Sequence, residues 1–199
     1  MGRREYAVIV AGLIILSLVI FRENQIDQWR KNPPQSIVPR RLAPKFQLAD
    51  HRRNIVKLEG LLGRHQIVLI FFDGESGVDG DPRTKSVIEN FPALSASGIK
   101  ILAVSTATPY ANEQAEERLG QPIPFSVLTD VDFSNLAPRP LPAHTAWGKV
   151  SETGEPESGV FLIGRDGTVA FGDNGFPIAV ADENSVLKQL SQGVWPTVN

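Results

Sequence analysis

Two short apolar runs rich in β-branched residues, Val68 to Phe72 (VLIFF) and Ile99 to Ser105 (IKILAVS), constrain the fold more than any other feature of the chain. Neither alternates in polarity over its core, and such runs suit strands buried on both faces. Between them, Pro82 to Ser97 carries Val87, Ile88, Phe91, Leu94 and Ala96 before Gly98. The first of these spacings fit an amphipathic helix, with Pro92 as the point where it would kink or end early. A strand, a helix and a strand of this length form a right-handed parallel crossover.

The elements after it change character. Asn112 to Leu119 (NEQAEERL) reads as a helix stopped by Gly120 and Pro122, and Phe125 to Leu128 (FSVL) as a strand fragment ending near Asp130. Val160 to Ile163 and Thr168 to Phe171 flank Gly164-Arg165-Asp166-Gly167, the pattern of a hairpin around an Asp-Gly turn. Glu183 to Gln192 closes the series as a helix. Parallel pairing first and antiparallel pairing last predict an α/β domain with a mixed central sheet flanked by helices.

The chain has no cysteine, which removes disulfides, thiolate nucleophiles, Cys-type zinc sites and iron-sulfur clusters together. Its three histidines, His51, His65 and His144, are far apart and form no helical pair, so each reads as a surface or loop residue rather than a metal ligand. A formal net charge of -2 creates no field that would gather nucleic acid. No Gly-x-Ser-x-Gly elbow is present, and serines such as Ser76 have no pattern tying them to a histidine, which leaves no hydrolase reading.

The N-terminus stands apart. After a basic start over residues 1–5, Tyr6 to Phe21 (YAVIVAGLIILSLVIF) is uncharged and almost wholly apolar. As a helix it would rise about 24 Å against a hydrocarbon core of ~30 Å, a gap that flanking arginines close by snorkelling. It ends in Val19-Ile20-Phe21-Arg22, without the small residues of a cleavage site. The expectation is an uncleaved single-pass transmembrane helix over residues 6–21, ahead of a cleaved signal and of a buried core helix. Positive charge lies on both flanks; the basic start of a short N-terminal anchor favours the domain on the extracytoplasmic side. Residues 22–41, with Pro33, Pro34 and Pro39, read as a linker, residues 42–193 as the folded domain and 194–199 as a tail.

An ordered series of motifs runs through that domain: Ala43-Pro44-x-Phe46-x-Leu48-x-Asp50, Val68 to Phe72, Gly98 to Thr106 (GIKILAVST), Phe125 to Asp130 (FSVLTD), Ala146-Trp147-Gly148 and Gly159 to Gly167 (GVFLIGRDG). In this order the chain resembles the peroxiredoxins of the alkyl hydroperoxide reductase and thiol-specific antioxidant group, within the redoxin and thioredoxin-like superfamily. The resemblance implies a thioredoxin-like fold and, in relatives with the full motif, reduction of peroxides.

The reactive loop of that family has the pattern Pro-x-x-x-Thr-x-x-Cys, usually followed by Pro, with an arginine just before the later Gly-x-Phe strand. Aligned without a gap, Gly74 falls on the proline, Val78 on the threonine, Asp81 on the cysteine and Ser158 on the arginine, and Pro82 alone is retained. Peroxide reduction needs a sulfur nucleophile held as thiolate, with a hydroxyl and a guanidinium to orient the peroxide. A carboxylate at Asp81 is a poor nucleophile toward an O–O bond and cannot become a sulfenic acid. Asp81 before Pro82 reads instead as a helix start, the carboxylate capping free N–H groups.

Three functions are therefore expected in order. The first is a membrane-anchored, peroxiredoxin-like domain that is catalytically degenerate, needs no cofactor and acts by binding a protein partner. The second is an antioxidant or oxidoreductase working without its own cysteine, by a non-cysteine route or through a partner's thiol, motivated by the resemblance alone. The third is a cation-binding module, in which Asp73, Glu75, Asp79 and Asp81 of the Gly-rich loop Phe72 to Pro82 would wrap a hard cation, although their spacing is not that of an EF-hand. The proline-rich Ala137 to Pro142 (APRPLP) reads as a stiff surface loop, Trp147 as core, and Trp29 and Trp195 as candidate anchors.

Overall fold

The computed structural model of the chain describes residues 38–131 and 141–196. The anchor expected over residues 6–21, the linker up to residue 37, Trp29 and residues 137–140 lie outside the described residues. Among the described residues no helix is long and apolar enough to cross a membrane.

The elements in chain order are β1 (Arg40–Leu42), β2 (Gln47–Asp50), β3 (Ile55–Lys57), a 3-10 turn (Leu58–Gly60), β4 (Gln66–Phe71), α1 (Pro82–Ala96), β5 (Ile99–Ser105), α2 (Pro109–Leu119), β6 (Ser126–Thr129), α3 (Pro142–Ala146), β7 (Gly159–Ile163), β8 (Thr168–Ala170) and α4 (Glu183–Ser191). Six strands form one mixed sheet in the order β3-β2-β6-β5-β4-β7. β4, β5 and β6 are parallel, while β2 runs antiparallel to β6 and β7 antiparallel to β4.

β4 shows why the continuous apolar run matters. Val68 and Ile70 enter one cluster with Val87 and Leu94 of α1, Ala115 of α2, and Leu187 and Leu190 of α4. Ile67, Leu69 and Phe71 enter a second cluster on the opposite face with Leu102, Phe161 and Trp147. Each fully buried side chain of this size contributes roughly 1.5–3 kcal/mol by leaving water, before conformational entropy is counted. The helix between β4 and β5 runs through Pro92 rather than ending there.

Three expectations change. The two strands around Gly164–Gly167 do not form a ladder: β7 pairs with β4, and β8 pairs with β1 as a separate two-stranded sheet. The tight turn itself forms, with Gly167 N–H donating to the Gly164 carbonyl. Arg40 and Arg41, placed in the linker from composition, are instead strand residues opposite Ala170 and Val169. The α2 helix begins at Pro109 rather than Asn112, because the Thr108 hydroxyl caps the Ala111 N–H and Pro109 fits the first turn.

Candidate functional site

At the C-terminal end of β4 the chain leaves the sheet and crosses residues 72–81 before α1. Two glycines make this path possible. A Cβ on Gly80 would lie 2.0 Å from the Ser76 carbonyl oxygen, and one on Gly74 would lie 2.7 Å from Thr106 Oγ1 and 2.8 Å from the Ala107 nitrogen. The loop is therefore folded tightly on itself and against the end of β5.

Asp81 ends the loop and is almost fully buried, at 3% exposure. Its Oδ1 accepts the backbone N–H groups of Arg83 (2.8 Å) and Thr84 (3.4 Å), and its Oδ2 accepts Arg83 Nη1 at 3.0 Å. This is an N-cap, which contributes on the order of 1 kcal/mol. Arg83 is in turn held by Glu183 at the start of α4. Burial opposes its charge, yet the two carboxylates outweigh burial and raise its pKa.

The other family positions are equally occupied. Val78 is fully buried in the cluster under α1 and offers no side-chain hydroxyl. The nearby hydroxyl, that of Thr84, donates within the fold toward the carbonyls of Val78 and Asp81. Ser158 is half-buried and precedes Gly159, which pairs with Phe71 where the loop departs. A serine stands there in place of a guanidinium, so the one cation bonded to Asp81 is Arg83, already shared with Glu183.

The four acidic residues of the loop do not converge. Asp73 accepts the Glu75 N–H and the Ser76 hydroxyl, bonds that hold its carboxyl below the usual range. Asp79 is gripped by Arg118 of α2 through Nε and Nη2, Asp81 caps α1, and Glu75 is exposed. Among the described residues no group of three His, Asp or Glu side chains is arranged to hold a metal ion.

Asp79 carries a testable pH dependence. The hydrogen bond from Arg118 outweighs desolvation and lowers its pKa. A carboxylate with a lowered folded-state pKa adds stability above its unfolded value of ~3.9 and loses it as pH falls through the folded value. The difference in denaturant midpoint between wild type and Arg118→Gln should be constant above about pH 5 and shrink toward zero in stronger acid. A difference independent of pH down to the acid limit would show that Arg118 acts through packing alone.

Two of the three histidines are not surface residues. His51 is 2% exposed; its Nδ1 accepts the Val127 N–H, and its Nε2 lies 3.3 Å from Glu116. Glu116 is desolvated, which raises its pKa, but hydrogen bonds from the Ile123 N–H and Arg52, together with the Arg52 charge, lower it overall. His144 is fully buried in α3, with Nδ1 at 2.6 Å from Asp130 Oδ2 and its ring 4.8 Å from that of Phe71. Asp130 also accepts the backbone N–H groups of Ala143 and His144. The expectation of a surface or loop residue holds for His65, half-exposed before β4, and for His51 in its turn position though not in exposure; His144, buried in a helix, departs from it in both. Sequence spacing carries no sign of the Asp130–His144 pair, because 14 residues separate the partners.

Comparison with known proteins gives one family model and several solved structures of the same fold. Residues 39–171 match the AhpC/TSA family model. Solved structures with the same fold include the mitochondrial 2-cys peroxiredoxin of Plasmodium falciparum, at 14% identity, TM-score 0.51, covering 76% of this chain and 91% of that one. A thiol peroxidase from Chromobacterium violaceum aligns at 17% identity and TM-score 0.51, covering 77% and 86%. A putative thiol:disulfide interchange protein DsbE from Chlorobium tepidum aligns at 20% identity and TM-score 0.50, covering 76% and 94%. No curated protein matches the chain.

Proposed function

The chain belongs to the AhpC/TSA family, and from that premise we propose that it is a member in which thiol chemistry is gone and partner binding is what remains. The observation that carries this reading is the state of the loop before α1. Where chemistry would need a free nucleophile, a free hydroxyl and an uncommitted cation, Asp81, Thr84 and Arg83 are all committed to one another, to the backbone or to Glu183. With no cysteine anywhere in the sequence, the protein supplies no sulfur to attack a peroxide or to form a mixed disulfide.

The arrangement suits a rigid recognition surface. Ion pairs fix the C-terminal part of the loop to α2 through Asp79–Arg118 and the first turn of α1 to α4 through Arg83–Glu183. A loop so held loses little conformational freedom on docking, which lowers the cost of binding. The apolar run over residues 6–21 supports a membrane tether, with the domain on the extracytoplasmic side, that would confine the search for a partner to the membrane surface.

The test uses the full-length chain, affinity-tagged and solubilised from its own membrane. A protein partner should be retained in fixed proportion by the wild type and lost when Asp79 and Arg83 are both replaced by alanine. Recovery of nothing beyond an untagged control, across several mild solubilisation conditions, would defeat the binding reading.

A further inference from the structure

The two ends of the sheet carry opposite charge. β4, β5 and β6 run in one direction, and the loop before α1 leaves from their C-terminal end. Residues 148–158 arrive at the same end, since Gly159 of β7 lies opposite Phe71. Asp73, Glu75, Glu152 and Glu155 are exposed there and form no ion pair among the described residues. Of the cations near them, Arg83 and Lys149 are bound to carboxylates and Lys85 acts on Asp79.

The N-terminal end is basic. It receives the β2–β3 turn with Arg52 and Arg53, the segment before β4 with Arg64, and the β7–β8 turn with Arg165. Lys100, the second residue of β5, is the one exposed side chain of that strand. Arg52 and Arg53 are turned to Glu116 and Glu113 of α2, whereas the exposed Arg64, Lys100 and Arg165 form no ion pair among the described residues. Asp166 is the one acidic residue in these three connections, and it lies beside Arg40.

The cations do not converge. They follow the strand order from β2 through β5 and β4 to β7, a line about 20 Å long at ~4.8 Å per strand. So wide a line cannot close on one small anion; it matches a flat, extended layer of negative charge. The sequence places such a layer within reach. The apolar run ends at Phe21, and residues 22–37 between it and the described domain span at most ~55 Å when extended. That length holds the domain near a bilayer and leaves charge to decide which end faces it.

We propose that the end of the sheet marked by Arg64, Lys100 and Arg165 rests on anionic phospholipid headgroups, with the loop before α1 facing away from the membrane. The proposal rests on the membrane tether of the preceding reading and adds the orientation in which the loop meets a partner.

The full-length chain has no cysteine, so one fluorophore can be placed at Gln121→Cys, exposed just before β6, or at Glu152→Cys, exposed at the other end. Each labelled chain is reconstituted in phosphatidylcholine vesicles, with or without phosphatidylglycerol, that carry a nitroxide lipid quenching near the headgroups. With phosphatidylglycerol, quenching at position 121 should exceed that at position 152 at least about threefold, and without it the two should agree. The contrast should vanish in about 1 M salt, where the Debye length is ~3 Å. It should also vanish in the variant Arg64→Gln/Lys100→Gln/Arg165→Gln, which alters exposed side chains alone and should keep its circular dichroism. Equal quenching in anionic vesicles, a contrast that survives salt or the triple variant, or a DNA duplex bound as tightly as anionic vesicles would each overturn the assignment. Flotation with the neutral vesicles reads the tether by itself. A chain that fails to float there has no tether, and the docking surface is then judged by the same label contrast on added anionic vesicles.

Discussion

Replacing Asp130 with alanine is expected to lower the stability of the folded domain by about 3–5 kcal/mol. Three donors converge on this fully buried carboxylate: the backbone N–H groups of Ala143 and His144, and the His144 ring at 2.6 Å. Removing it leaves all three in a water-free interior, and each orphaned polar group costs its desolvation penalty without return. Native domains are stable by only ~5–15 kcal/mol, so the loss is a large share of the total. Asp130→Asn should cost less, since an amide oxygen still accepts from part of the set. The double variant Asp130→Leu/His144→Phe should recover part of the loss, because replacing the ring as well removes one of the three orphans and leaves only the two backbone N–H groups without the carboxylate. Denaturant melts read the series; a cost under ~1 kcal/mol for Asp130→Ala would mean that water reaches the pair.

Trp147→Ala is the second large effect, at about 3–5 kcal/mol. Trp147 is fully buried, with its ring 4.9 Å from Phe161 and 6.1 Å from Phe71, so truncation opens a cavity at the centre of the second cluster. Its indole Nε1 has no hydrogen-bond partner among the described residues. Trp147→Phe therefore forfeits volume but no hydrogen bond and should cost well under half as much. Equal losses for the two variants would show that the N–H is satisfied by a buried water whose removal is costly.

Much of the scaffold was legible because it rests on local pattern. The apolar runs at β4 and β5, the latter broken only by Lys100, suit doubly buried strands, and Asp81-Pro82 announced a helix start that the hydrogen bonds at α1 reproduce. What stayed hidden depends on contacts between distant residues. β8 resembled the second arm of a hairpin because its turn residues are right, yet its hydrogen bonds go to β1, more than 100 residues earlier. The burial of two histidines read as surface or loop residues stayed hidden because it depends on partners that spacing does not reveal, Asp130 for His144 and Glu116 for His51.

The loop before α1 shows the same division. Alignment could state that Gly74, Val78, Asp81 and Ser158 depart from the family pattern, and composition could state that no sulfur is present. Neither could show that two of the acidic residues are already spent, Asp79 on Arg118 and Asp81 on Arg83 and the helix N-terminus. That internal satisfaction weighs against both a cation cage and a catalytic carboxylate. It also makes the loop a stiff part of the surface.

The most direct measurement is peroxide consumption by the purified full-length chain, with hydrogen peroxide and an organic hydroperoxide, in the presence and absence of a dithiol reductant. The expected result is a rate no greater than that of the heat-denatured chain under either condition. Reductant-dependent, saturable turnover that follows the protein through successive purification steps would contradict a thiol-free, binding-only role.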